Sequence, residues 1–196
     1  MAESLFDILN KEAQRKNLDM RSRSARNWFQ AQAKKMLDVQ SSTLLKDPGL
    51  KQVQRVIPGH MHMFVYDPKT KEKLPYYDKF PLTIFVDVAP GGFYGLNLHY
   101  LAPGIRAKFL DALLETVEGD ILAGEGKFSD LAYQKLKNVN RMKYFKPCFK
   151  HYLTSHIQSR IVKVESKDWT TAIFLPSEDF SKRRKTYVWG QSRGMY

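Results

Sequence analysis

The side chains best suited to chemistry in this sequence are cations that lie close together near the C-terminus. Positions 182 to 185 are four consecutive lysines and arginines, and Tyr187 and Trp189 follow them. Such cations neutralise phosphates without reading a base sequence, and aromatic rings beside them can stack on exposed bases or on a DNA end. An acidic protein surface attracts the same charges, so both kinds of partner stay open.

Two further groups of cations precede or begin predicted helices. Three arginines fall between positions 21 and 26, at the end of a helix where its dipole disfavours positive charge. Because they gain nothing locally, an external anion is expected. Four more cations lie between positions 141 and 150. The predicted DNA- or partner-binding residues are Arg21, Arg23, Arg26, Arg141, Lys143, Lys146, Lys150, Lys182, Arg183, Arg184, Lys185, Tyr187 and Trp189.

Signals for enzymatic chemistry are weak. The sequence has no Walker A loop, dinucleotide fingerprint, zincin helix or G-x-S-x-G elbow. Cys148, the only cysteine, begins a predicted helix that carries His151, and a helix N-terminus lowers a thiol pKa. A Cys–His nucleophile is therefore one interpretation. A buried structural cysteine is the favoured one.

Two patterns point to metal chemistry, and neither is complete. His60 and His62 would share one face of a strand, with His99 on a neighbouring strand as a third ligand. Glu165 and Lys167 match half of a metal-dependent nuclease signature, but no suitable aspartate lies on a preceding strand. We therefore predict no catalytic residue, no metal and no cofactor.

Positive charge is concentrated at the two ends of the chain. The 196 residues carry a net charge of +12, of which residues 1–57 hold +5 and residues 141–196 hold +8. The residues between them are close to neutral. This asymmetry favours a polyanionic partner for the ends, although a merely solvated basic surface would have the same composition.

Composition excludes several classes of protein. Apolar residues make up 43%, which is typical of a folded chain and excludes wholesale disorder. No run reaches the roughly 18 apolar residues that a membrane-spanning helix needs. The first residues lack the pattern of a secretory signal. A single cysteine excludes an internal disulfide, so we expect a reducing cytoplasm and no membrane partner.

The elements that must position these residues begin with a helical arm. Helical spacing of Leu5, Ile8, Leu9 and Ala13 predicts a helix over 3–18 with Ser4 as its N-cap. A second helix is predicted over 24–37, with Trp28, Ala31 and Met36 forming its apolar stripe. Residues 1–57 are therefore interpreted as a helical N-terminal arm that docks on its own core or on a neighbouring subunit.

The centre of the chain is rich in short strands. Alternating apolar and aromatic runs predict strands at 61–66, 76–80, 82–88 and 93–101, separated by turns rich in proline and glycine. We expect a small antiparallel β-sheet or an SH3-like barrel. Helices are predicted from Pro103 to 117, over 129–137 and over 148–159. Strands are predicted over 160–165 and 170–176.

The fold class predicted from these elements is α+β, with a small sheet or barrel and flanking helices. We divide the chain into the arm (1–57), a core domain (58–180) and a basic C-terminal tail (181–196).

Several stretches resemble a family of virion proteins of T4-like and related tailed bacteriophages. The stretches are MFVYDPK (63–69), LPYYDKFPL (74–82), GGFYGLNLHYL (91–101), RAK (106–108), FKPCFKHYL (145–153) and IFLP (173–176). The resemblance covers residues 61–190 with gaps and leaves the first 57 residues outside. It implies a particle component, similar to proteins that protect packaged DNA ends and are linked to head completion.

The residues and the resemblance together predict a non-enzymatic structural protein of a tailed phage virion. Its basic segments would bind packaged DNA ends or the head–tail (neck) region, without sequence specificity. The alternative is a protein-docking subunit of the neck, tail completion complex or baseplate that does not touch DNA. The third interpretation is a metal-dependent nuclease. We expect other virion proteins as partners, several copies in a symmetric assembly, and assembly in the host cytoplasm.

Overall fold

The fold is organised around an antiparallel sheet. The computed structural model describes residues 3–19, 22–36, 39–114 and 143–194. Its sheet contains β1 (Lys51–Val53), β2 (Met61–Met63), β4 (Leu82–Ala89), β5 (Gly92–Asn97), β6 (Phe149–Leu153) and β7 (Ile161–Val164) in the order β1-β7-β2-β4-β5-β6. The strands β3 (Tyr77–Asp78) and β8 (Phe180–Ser181) form a separate antiparallel pair.

The described residues contain six α-helices. They are α1 (Leu5–Arg15), α2 (Arg23–Lys35), α3 (Ser41–Lys46), α4 (Pro103–Leu114), α5 (Trp169–Ala172) and α6 (Lys185–Gly194). Short 3₁₀ turns occupy Lys71–Lys73, Leu98–Tyr100, Lys143–Cys148, Thr154–His156 and Ser166–Asp168. Within this part of the chain, no helix has the length and apolar character needed to cross a bilayer.

The pairing of β5 with the edge strand β6 depends on glycine. The turn between β4 and β5 places Gly91 at φ +71°, a backbone conformation that L side chains rarely adopt. At the next position, a Cβ on Gly92 would lie 1.8 Å from the carbonyl oxygen of Tyr152 in β6. Only a residue without a side chain therefore allows β5 and β6 to pair at this point.

One apolar core joins the N-terminal helices to the sheet. Phe6 of α1, Phe29 of α2 and Leu44 of α3 are buried in the same cluster as Met61 and Ile84 of the sheet. The predicted N-terminal segment thus packs on the core of its own chain, and β1 extends the sheet beyond β7. Whether residues 1–57, 58–180 and 181–196 behave as separate units stays a prediction.

The α+β class and the antiparallel sheet are confirmed, whereas the barrel alternative is wrong. In the described residues the sheet is open, because the strands at its two ends, β1 and β6, do not pair with each other to close a barrel. The predicted helices near the N-terminus and from Pro103 are confirmed as α1, α2 and α4. The helix predicted over 129–137 lies outside the described residues.

The helix predicted over 148–159 is wrong, since residues 149–153 form the edge strand β6. Their apolar spacing fits a helix, but β5 supplies a strand edge with which they pair. Phe149 stacks on Tyr94 with ring centroids 5.1 Å apart, and Tyr152 stacks on Phe93 at 5.3 Å. Cross-strand aromatic contacts of this kind stabilise a strand over a helix.

Two predictions near the C-terminus are also corrected. The strand predicted over 170–176 is instead helix α5 followed by turns, and the indole of Trp169 donates to the carbonyl of Val164 over 3.0 Å. The run is apolar without the period-two alternation of a half-buried strand. The residues interpreted as a polar tail contain helix α6, which packs on the core through Val188.

The predicted inward faces of α1 and α2 need correction as well. In α1 the buried residues are Phe6, Leu9 and Ala13, while the side chain of Ile8 is 43% exposed. In α2 the buried residues include Phe29, and Ala31 faces solvent. The Ser4 N-cap is confirmed, since its hydroxyl accepts a hydrogen bond from the amide of Asp7.

Candidate nucleic-acid interface

Helix α6 follows the run of C-terminal cations, contains Lys185 and Arg193, and is fixed to the core. It begins after Arg184, whose carbonyl accepts hydrogen bonds from the amides of Tyr187 and Val188. The indole of Trp189 donates to the backbone carbonyl of His99 over 2.9 Å. The hydroxyl of Ser192 donates to the backbone carbonyl of Tyr100 over 2.8 Å. The basic C-terminal segment is therefore held in one orientation.

A cavity of about 440 Å³ lies between α2, α4 and α6. Three cations line it: Lys34 from α2, and Lys185 and Arg193 from α6. Trp189 forms part of the wall, and Pro103 belongs to the first turn of α4. We call this the basic cavity. Its positive charges come from two helices that are distant in sequence.

The acidic residue of the basic cavity is already neutralised. Glu178 lines the cavity and accepts a hydrogen bond from the buried guanidinium of Arg106, while Lys185 lies 3.4 Å away. Burial alone would raise the pKa of Glu178, but the charges of Arg106, His99 and Lys185 outweigh it and lower the pKa to about 2. The cavity therefore keeps an excess of positive charge.

The remaining cations of the C-terminal run differ in their surroundings. Arg184 is exposed, and the guanidinium of Arg183 lies 5.0 Å from the ring centroid of Tyr187, which is 46% exposed. Lys182 has φ +66°, and its ammonium donates to the carbonyls of three residues in the 71–74 turn. Arg183 and Arg184 can reach an external anion, whereas Lys182 connects two parts of the fold.

The arginines near α2 are not all directed to an external anion. Arg26 forms an ion pair with Asp111 of α4, which corrects the inference that it gains nothing within the chain. Arg23 is exposed at the first position of α2. Arg21 lies outside the described residues.

The third predicted group is divided between surface and interior. Arg141 and the side chain of Lys143 lie outside the described part of the chain, and Lys146 is exposed. Lys150 is half-buried, and its Nζ lies 4.0 Å from the ring centroid of Tyr100. This group is therefore not one continuous surface patch.

Sequence reasoning missed two cations of the basic cavity, Lys34 and Arg193. Lys34 is one of two lysines in the last turn of α2, where they also complement the helix dipole. Arg193 is isolated in the sequence. Nothing in the spacing links the two, because only the packing of α2 beside α6 brings them to one cavity.

The histidine pair is buried, and the described residues include no cluster of three or more ligand-type side chains suited to a metal. The rings of His60 and His62 are 6.5 Å apart, and Nε2 of His62 accepts a hydrogen bond from the amide of Ile57. Burial lowers the pKa of His62 to about 3, so its ring is neutral. His99 lies elsewhere, bound to Asp78.

Both residues of the nuclease half-signature, Glu165 and Lys167, form ion pairs within the chain. Lys167 donates to Asp7 over 2.9 Å, and Glu165 accepts from Lys163 over 3.1 Å. Cys148 lies at the end of a 3₁₀ turn and is fully buried. Burial raises the pKa of its thiol to about 12, which disfavours the thiolate that a nucleophile requires.

The structure also contains a Ser–His–Asp network that the motif search did not find. Nδ1 of His99 lies 2.7 Å from the carboxylate of Asp78, and its Nε2 lies 3.2 Å from the hydroxyl of Ser177. The connectivity is that of a hydrolase triad. Because Ser177 is only 3% exposed and His99 is fully buried, a substrate carbonyl cannot reach the hydroxyl. The network instead links β3 to the segment before β8.

Comparison with known proteins adds a family. A family model described as the phage T4 terminal DNA protecting protein matches residues 3–192. The match includes the N-terminal helices, so the earlier limit of the resemblance at residue 61 is corrected. No curated protein and no solved structure matches the chain significantly.

Proposed function

Since this chain belongs to the family of the phage T4 terminal DNA protecting protein, we propose that it binds the ends of duplex DNA and shields them. It does so as a non-enzymatic component of a tailed phage particle. The observation that carries the proposal is the basic cavity, in which Lys34, Lys185 and Arg193 surround a space whose one described carboxylate, Glu178, is paired with Arg106.

The charges of the basic cavity suit phosphate rather than base recognition. Lysine and arginine neutralise backbone phosphates in any sequence context, and the affinity then falls steeply with salt. Arg183 and Arg184 precede Lys185 in the sequence and are both exposed, so they are available for further phosphate contacts. Binding is therefore independent of sequence and governed by electrostatics.

The shape of the site supports a preference for ends. A cavity of about 440 Å³ falls in the size range of small-ligand pockets, which suits a few atoms of a strand terminus. The flank of a continuous duplex is too wide to enter such a space. Because Trp189 is fixed by its hydrogen bond to His99, the cavity wall is preorganised for a ligand.

The proposal is tested by fluorescence anisotropy with two labelled duplexes of equal sequence. One duplex has an open end, and the other is closed by hairpins at both ends. We expect the wild-type protein to prefer the open duplex. In a triple variant, Lys34→Gln with Lys185→Gln and Arg193→Gln, the salt slope should decrease by about 3, because each lost phosphate contact removes roughly 0.9.

A matched control removes the same charge elsewhere. Lys16, Lys46 and Lys73 are exposed and lie outside the basic cavity. Their joint replacement by glutamine should weaken end binding much less than the first triple variant does. Equal binding of open and closed duplexes, or equal effects of the two variants, would contradict the proposal and favour docking on an acidic protein.

A further inference from the structure

A second cavity, of about 320 Å³, opens beside β5 and β6, and five tyrosines are among its lining residues. We call it the tyrosine cavity. Its aromatic residues are Tyr66, Tyr76, Tyr77, Tyr100 and Tyr152. The 3₁₀ turn Leu98–Tyr100, the strands β3 and β6 and the turn near residue 70 together form its walls.

Two lysines line this cavity: Lys69 is exposed at its rim, and Lys150 is half-buried. The ammonium of Lys150 lies over the ring of Tyr100, and no carboxylate in the described part of the chain forms an ion pair with it. Burial lowers the pKa of Lys150, and the charge of Asp78, which also lines the cavity, acts in the opposite direction. A half-buried ammonium that no described carboxylate contacts directly is costly, so an anionic ligand would gain from binding there.

The other polar groups of the tyrosine cavity are held in fixed positions. The amide of Asn97 donates to the carboxylate of Asp78 over 3.0 Å, and His99 occupies the same oxygen. The hydroxyl of Tyr66 accepts from the amide of Leu153 over 3.1 Å. The carboxylate of Asp78 is therefore occupied by Asn97 and His99, and the aromatic walls are prearranged around the ammonium of Lys150, as a site for a planar, anionic ligand requires.

The tyrosine cavity is connected to the basic segment through α6 and Lys182. Tyr187 of α6 packs against Tyr76 with ring centroids 6.2 Å apart. Lys182 donates to the carbonyl of Leu74, which lines the cavity. One helix thus borders the basic cavity through Trp189 and contacts a wall of the tyrosine cavity through Tyr187. The two cavities therefore share α6 as a common border.

We propose that the tyrosine cavity receives the terminal nucleotide of a DNA strand, with its base among the tyrosines and its phosphate at Lys150. This inference rests on the proposed function, since it names which part of the DNA end is recognised. Stacking of a base on aromatic side chains tolerates every base and contributes about 1–3 kcal/mol. A terminal base is also the least costly to remove from the duplex stack.

The test compares open-ended duplexes that differ only at the terminal nucleotide. The ends carry a 5′-phosphate, a 3′-phosphate or hydroxyls alone, and a fourth duplex has an abasic terminal nucleotide. We expect the wild-type protein to bind one phosphorylated end several-fold more tightly than the hydroxyl end. The abasic end should bind about fivefold to 150-fold more weakly than the normal end, which is the stacking energy converted to affinity.

Variants connect this preference to the cavity. Lys150→Met keeps the aliphatic stem and removes the charge, so the fold is retained while the phosphate preference is lost. Lys150→Arg should restore part of that preference. Tyr76→Leu should reduce the discrimination against the abasic end, whereas Tyr76→Phe should preserve it. Lys73→Gln is the matched control, because Lys73 is exposed nearby and does not line the cavity.

Two outcomes would overturn the inference. The first is equal binding of all four ends by the wild-type protein, and the second is an unchanged phosphate preference in Lys150→Met. If open ends are still preferred over closed duplexes, the proposed function stands and only the terminal-nucleotide inference fails. If open ends are not preferred at all, both proposals fall together.

Discussion

The guanidinium of Arg106 donates a hydrogen bond to the carboxylate of Glu178, and solvent reaches almost nothing of either side chain. Arg106 also donates to the carbonyls of Leu101 and Ile173. The other carboxylate oxygen of Glu178 faces Lys185. This pair therefore connects helix α4 to the basic cavity and keeps its only described carboxylate neutralised.

Glu178→Gln is expected to destabilise the fold by about 3–5 kcal/mol, because it leaves the buried charge of Arg106 without a counter-ion. The measurement is urea denaturation followed by circular dichroism. Lys185→Gln is the control, since the side chain of Lys185 is partly exposed and its ion pair contributes about 1 kcal/mol or less. A loss below 1 kcal/mol for Glu178→Gln would show that the pair does not stabilise the fold.

Lys182 is expected to act mainly on stability and Arg184 on binding. Lys182→Met removes three hydrogen bonds to carbonyls of the 71–74 turn and should cost about 1–2 kcal/mol. Arg184→Gln changes an exposed side chain and should alter stability by less than about 0.5 kcal/mol while weakening DNA binding. Denaturation and anisotropy on both variants check this division. If Lys182→Met weakened DNA binding without lowering stability, Lys182 would belong to the DNA interface.

How far the sequence predicts local structure depends on where each element finds its hydrogen bonds. Helix α1 is predictable because its stop and start are local, with Ser4 capping the first turn. Strand β6 is not, because its partner β5 is more than 50 residues away and its apolar spacing fits a helix equally well. Glycine at position 92 allows that pairing, and its role is visible only beside Tyr152.

Stability should depend on pH through Asp168. Burial raises the pKa of this carboxyl to about 6, and the amide of Asn10 donates to it. The folded state thus holds the proton more tightly than the unfolded chain does. The free energy of unfolding of the wild-type protein, minus that of Asp168→Asn, should therefore be greatest below about pH 4 and fall as the pH rises to about 6. Urea midpoints measured across this range check the slope.

Asp7 provides a control of opposite sign. The hydrogen bond from Lys167 lowers the pKa of Asp7 to about 2. The free energy of unfolding of the wild-type protein should exceed that of Asp7→Asn above about pH 4, and this difference should fall as the pH drops toward 2. If the urea midpoints of both variants change with pH in the same way as those of the wild-type protein, the environments assigned to these two carboxyls are wrong.

Cys148 should be chemically inert in the folded protein. Burial raises its pKa to about 12, so we expect a thiol-specific disulfide reagent at pH 8 to react at least about a hundredfold more slowly with the native protein than with the unfolded chain. Absorbance after mixing, with and without denaturant, measures the ratio. Rapid stoichiometric reaction of the native protein would reopen the interpretation of Cys148 as a nucleophile.

The members of the basic cavity are harder to predict from the sequence than the presence of positive charge. The run at 182–185 leads into α6, yet Lys182 is held by backbone carbonyls and Trp189 by His99. Lys34 and Arg193 reach the basic cavity only through tertiary packing. A charge run in a sequence records the number of cations, whereas their direction is decided by the surfaces on which each helix packs.

The central claim is that this protein covers DNA ends, and protection from an exonuclease tests it most directly. A linear duplex is incubated with the full-length protein and then with a processive exonuclease that must start at an end, and the surviving DNA is measured over time. The account predicts that protection appears near one protein assembly per end, weakens with salt, and is lost in the variant that replaces Lys34, Lys185 and Arg193 by glutamine. Digestion at the rate seen without protein, or equal protection by that variant, would contradict it.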